Sequence, residues 1–138
     1  MSYPEIKYTD GWDYVLADTV DVKTGIKPPK TIYHKDEFVF WADGNLTIYK
    51  NYPWDGATGA FDTRNSMVAS LVHDCFCEMM RVGELDYDEY SNQVHELLAK
   101  IAKYKGMWEW RANAWEKATK LARGGHPSHP DSHPVKTA

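Results

Sequence analysis

Cysteine is nearly absent from this chain: Cys75 and Cys77 are the only two in 138 residues. They stand two positions apart in a run that reads as helix, where their side chains diverge by about 200° and cannot easily bridge. Both are expected to be reduced and space-filling. No second cysteine pair stands at the spacing a zinc knuckle requires. Clusters of positive charge are missing as well. Lys and Arg are scattered, and a net charge of -4 with a pI near 5.8 disfavours binding along a phosphate backbone, so nucleic acid is not an expected partner. No window approaches the roughly 20 apolar residues of a membrane span. The opening "MSYPEIKYTDGWDY" has no basic segment followed by an apolar one, so synthesis in the cytoplasm is the expectation.

Aromatic residues, by contrast, are plentiful. Six Trp and nine Tyr imply that a few large rings dominate burial and that apolar surface is left over for a partner. The length suits one domain, residues 1–125, followed by a His- and Pro-rich tail, 126–138, expected to be extended or disordered. In that tail His126, His129 and His133 could hold a transition metal weakly, as flexible His tracts do.

The first part of the chain reads as β structure. "DYVLADTVDV" (13–22) alternates loosely, and "EFVFWADGNLTIYK" carries a D-G turn at Asp43-Gly44 between two β-prone runs, Glu37 to Trp41 and Leu46 to Lys50. "NYPWDGATGAFDTRN" is then a loop leading to a helix capped by Asp62 or Thr63. From Arg64 to Gly83 the apolar residues cover more than one helical face, which predicts a helix buried on most sides. Asp86 with Glu89 has capping-box spacing, and Tyr87, Tyr90, Val94, Leu97, Leu98 and Ile101 keep helical period behind it. In a third helix Met107, Arg111, Ala114, Ala118 and Leu121 share one side. The expected fold class is α+β, a small N-terminal antiparallel β-sheet or hairpin packed on three C-terminal α-helices.

The chemistry worth testing lies in "SMVASLVHDCFCEMMR" (66–81). His73 and Asp74 sit inside an apolar helix, and the "WDGATG" loop (54–59) can fold back so that Asp55 meets His73. His73, Asp74 and Asp55 are thus candidate catalytic residues, with Asp55 and Asp74 as candidate ligands for a divalent metal such as calcium. The alternative is architectural: a buried histidine bonded to a loop, and Asp74 paired with Arg64, Arg81 or Arg111. His34 reads as part of a polar β connection and His95 as a boundary residue. No G-x-S-x-G elbow, H-E-x-x-H or Walker pattern occurs, and neither cysteine has an evident activating base.

"YPWDGATGAFDTRNSMVASLVHDCFCEMMRVGELD" and the following "YSNQVHELLAKIAKYKGMWEWRANAWEKATKLARGG" resemble a phage- and prophage-encoded domain family of unknown function. Asp55, Gly56, Ala57 and Thr58 match its D-G-A-S loop, with Thr for Ser; Ala69, His73 and Asp74 match its helix signature; Trp110, Arg111 and Ala112 match its last segment. The likeness spans roughly residues 36 to 125, although the Pro-Arg that often follows the loop is replaced by "GAFDTRN". It implies a phage gene near tail, lysis or structural genes, with Thr58 and Arg111 as structural residues and with other phage structural proteins or further copies of the chain as partners. The location implied is the host cytoplasm on synthesis and the virion thereafter. A shorter stretch, His73-Asp74-Cys75-Phe76-Cys77, is similar to the active-site helix of phospholipase A2, but the glycine-rich calcium loop of that family is missing and Cys77 stands where it has Tyr. These resemblances imply two functions: a bacteriophage structural or assembly protein working through protein-protein contacts, or a small metal-assisted hydrolase of lipid or cell wall centred on His73-Asp74.

Overall fold

The computed structural model describes residues 2–9, 14–55 and 64–128. Along the chain come β1 (Tyr8–Thr9), β2 (Tyr14–Leu16), β3 (Val20–Lys23), β4 (Ile32–His34), β5 (Phe38–Phe40), β6 (Asn45–Ile48) and β7 (Pro53–Trp54), then α1 (Met67–Arg81), α2 (Tyr87–Tyr104) and α3 (Glu109–Leu121). This is the α+β arrangement expected, but with two antiparallel sheets, ordered β1-β2-β7 and β3-β6-β5-β4. The loosely alternating run is divided between them, β2 in the first sheet and β3 in the second; its first residue, Asp13, lies outside the described residues. Leu16 bonds through its backbone to Tyr52 and Asn51, and the Thr19 hydroxyl accepts from the Lys50 amide, so the chain turns at 17–19 and enters the second sheet.

The β5–β6 hairpin forms where the D-G signal stands, pairing Phe40 with Leu46 and Phe38 with Ile48. Asp43 accepts from the Asn45 amide, and Gly44 has φ +95 with its Cα so close to Ile26 that a Cβ would lie 3.0 Å from that carbonyl oxygen. Glycine is needed there for both torsion and space. Alternation then puts Val22, Ile32, Phe38, Phe40, Leu46 and Ile48 on the inner face, all buried.

Helix α1 lies against that face. Twelve of its 15 residues are buried, because the sheets cover one side and α2 the other. A single 3-10 turn, Arg64–Ser66, precedes it; the expected caps Asp62 and Thr63 lie outside the described residues. Gly83 (φ +83) ends it, with the Glu84 amide returning to the Met79 carbonyl. Asp86 caps α2 by accepting from the Glu89 amide at 2.9 Å. Replacing it with Ala should cost about 1 kcal/mol, seen as a lower urea midpoint at unchanged slope.

The third helix turns the other way from its expected stripe. Its buried residues are Ala112 and Trp115, while Ala114, Ala118 and Leu121 are exposed. Beyond it the chain folds back over α1: Gly125 (φ +84) is so close to Met80 and Cys77 that a Cβ would meet them at 2.8 and 3.0 Å. His126 packs edge-on against Tyr87, so the first tail residues are in contact with the domain; residues 129–138 lie outside those described.

Candidate functional site

An α-helix presents every fourth residue on nearly the same side, so Ser70, Asp74 and Glu78 form one polar stripe along α1. The stripe faces the sheets and is met by three side chains in order. Trp54 Nε1 donates to Ser70 Oγ at 3.1 Å, Tyr52 OH donates to Asp74 Oδ2 at 3.5 Å, and His34 Nε2 lies 3.3 Å from Glu78 Oε2. Polar groups inside an apolar seam are costly unless satisfied, and these pairings fix how the sheets sit on the helix.

His73 stands about 100° round the helix from Asp74 and belongs to a different neighbourhood. Its Nε2 lies 2.9 Å from His95 Nδ1, and its Nδ1 lies 3.6 Å from Cys77 Sγ. Gly124 closes over both rings: a Cβ there would be 3.2 Å from His95 Cε1 and 3.4 Å from His73 Cε1. Burial, and then the partner ring, push the His73 pKa down to about 3; burial, and then Lys120, push that of His95 down to about 4. Both imidazoles are therefore neutral near pH 7, and in the bond between them one ring nitrogen donates its N-H and the other accepts. His95 is a buried residue and not the boundary residue expected, and Cys77 is one helical turn from His73. Neither thiol is primed for attack, since both are free and buried and burial pushes their pKa values well up.

The candidate residues are thus distributed. Asp74 meets Tyr52, His73 meets His95 and Cys77, and Asp55 is exposed just past β7. Thr58 lies outside the described residues. Arg111, in the first turn of α3, lines a surface hollow of about 300 Å³ with Asn65, Gly106, Trp108 and Trp110.

His34, expected in a polar connection, occupies the inward position at the end of β4. It stacks on Phe38 with ring centroids 4.4 Å apart and is surrounded by Glu37, Glu78 and Glu84. Burial works against its charged form, but the carboxylates of Glu78 and Glu84 outweigh it and raise the pKa. The signal was the alternation Ile32-Tyr33-His34, whose outer member Tyr33 is 67% exposed.

Elsewhere, the end of α2 and the outer side of α3 leave large apolar groups in solvent: Tyr104 at 51%, Trp108 at 71%, Trp110 at 66% and Leu121 at 75% exposed. Trp110, Ala114 and Leu121 follow helical spacing along that outer side, and the Trp108 and Trp110 rings lie 6.3 Å apart.

Among the described residues no helix is long and apolar enough to cross a membrane. These features define an α+β domain with a buried polar seam and an exposed aromatic flank. Comparison of the chain with protein-family models, with curated proteins and with solved structures finds no match in any of the three.

Proposed function

We propose that this chain is a structural or assembly component of a bacteriophage particle, working through contacts with neighbouring subunits. The observation that carries the reading is the outer side of α3. A helix in a small domain normally turns its apolar stripe inward, whereas this one keeps Trp110, Ala114, Ala118 and Leu121 outside and leaves Trp108 and Tyr104 beside them. Trp and Tyr are the side chains that most often anchor protein interfaces. The phage context comes from the D-G-A-T loop and the His73-Asp74 signature. The hydrolase alternative calls for His73 and a carboxylate opening on one cleft, whereas His73 bonds toward α2 and Asp74 toward Tyr52.

Exchanging both Trp108 and Trp110 for Ser tests this. Both are exposed, so stability should change by less than about 0.5 kcal/mol while the double variant fails to enter particles that incorporate the wild-type chain. Incorporation at the wild-type level would remove the outer side of α3 as the contact surface.

A further inference from the structure

The His34 cluster, built from residues other than those of the assembly surface proposed above, has the makings of an ion site. One ligand atom each from His34, Glu37 and Glu78 lies within 4.8 Å of the other two. His34 Nε2 is 3.3 Å from Glu78 Oε2 and 3.6 Å from Glu37 Oε1. Those spacings are long for N-H···O bonds, which centre on about 2.9–3.0 Å. They are close to the separation of roughly 3.3 Å between neighbouring ligand atoms around a tetrahedral Zn²⁺ with bonds of about 2.0–2.1 Å.

The other ring nitrogen behaves differently. His34 Nδ1 lies 2.5 Å from Glu84 Oε1, the close carboxylate-imidazole pairing that sets the tautomer of metal-bound histidines and leaves Nε2 facing the ion. Phe38, stacked on the ring, holds its plane. A divalent cation replacing the Nε2 proton, which passes to solvent, would be placed beside the carboxylates of Glu37, Glu78 and Glu84. The side chains of His34 and Glu78 are 6% and 7% exposed, whereas Glu37 and Glu84 keep 28% and 29%, so an ion can enter past the two outer carboxylates.

We propose that His34, Glu37 and Glu78 bind one divalent transition-metal ion of the Zn²⁺ class, with Glu84 orienting the imidazole from behind. Mixed imidazole and carboxylate donors suit Zn²⁺ and its neighbours better than Ca²⁺, which takes six to eight oxygens. The ion ties the β4–β5 hairpin to the C-terminal end of α1 and to the turn after it.

The test is calorimetric titration of the chelator-stripped full-length chain with Zn²⁺, alongside Glu37→Gln and Glu78→Gln. The His-rich tail is common to all three and its contribution cancels. The wild type should bind one ion more than either variant, and with free Zn²⁺ at roughly 100 times Kd its Tm should rise by about 5–10 °C. Glu84→Gln should keep the stoichiometry but weaken the site about 10- to 100-fold. If Glu78→Gln fails to fold, the half-buried Glu37→Gln carries the comparison. Equal stoichiometry and affinity in the wild type and a folded Glu37→Gln would overturn the proposal.

Discussion

Lowering the pH from about 7.5 to about 5 is expected to remove about 4 kcal/mol of stability through two imidazoles, His73 and His95. Their pKa values in the folded protein are about 3 and about 4, against about 6.5 for a histidine in an unfolded chain. Between those limits the unfolded chain takes up protons that the folded protein refuses, so stability rises with pH there. The contribution is present in full above about pH 6.5 and is lost as pH falls. By pH 5 it is about 2 kcal/mol per imidazole, in a protein whose total is expected to be about 5–15 kcal/mol. The first cause is burial of both rings, which bond to each other at 2.9 Å under the Gly124 turn; the His95 ring adds to it for His73 and Lys120 for His95. Urea titrations at several pH values measure the effect. His34, whose raised pKa works in the opposite direction, is common to the wild type and His95→Gln, so their difference isolates the pair: the variant should lose roughly half of the pair's contribution between pH 7 and pH 5, and an identical pH dependence in the two would sink this account.

Trp54→Ala should be more damaging than any exposed aromatic change, with a loss of about 3–5 kcal/mol and a fall in Tm of about 10 °C or more. Trp54 is fully buried, packs against Tyr8 and Tyr14, and donates to Ser70, so it fastens the three-stranded sheet to α1. Trp54→Phe keeps a ring in the site and loses the indole N-H; it should cost about 1–2 kcal/mol, since Ser70 retains its own bond to the Met67 carbonyl. Near-equal losses for Ala and Phe would show that the hydrogen bond, rather than the ring, does the fastening. Thermal unfolding of the two variants separates these outcomes.

The parts of the fold with strong local chemistry could be read from sequence. Asp43-Gly44 marked the hairpin, Gly83 the end of α1 and Asp86 the start of α2, because each of those residues satisfies a backbone requirement by itself. The division of residues 14–22 between two sheets could not, since it is decided by the bonds of Leu16 to Tyr52 and Asn51 and of Thr19 to Lys50, more than 30 positions along the chain. The orientation of α3 was hidden for a related reason. Its sequence offers apolar groups on two sides, and packing on α2 selects Ala112 and Trp115.

At the site, the pairing of residues along α1 was implicit in the spacing of four from Ser70 through Asp74 to Glu78, but their partners come from strands that only folding brings near. His95 reads as a boundary residue because Leu97, Leu98 and Ile101 look like the packed stripe. In fact α2 is covered on two sides by α1 and α3, and Ser91, Ala99 and Ala102 beside His95 are small enough to admit both.

The most direct test of the proposed role places a photo-crosslinking amino acid at position 110, and at the exposed position 33 on the sheet as a control, in the chain assembled into purified phage particles. The account predicts a covalent product between position 110 and a neighbouring virion chain at much higher yield than from position 33. Absence of the chain from washed particles, or equal yields from the two positions, would contradict it.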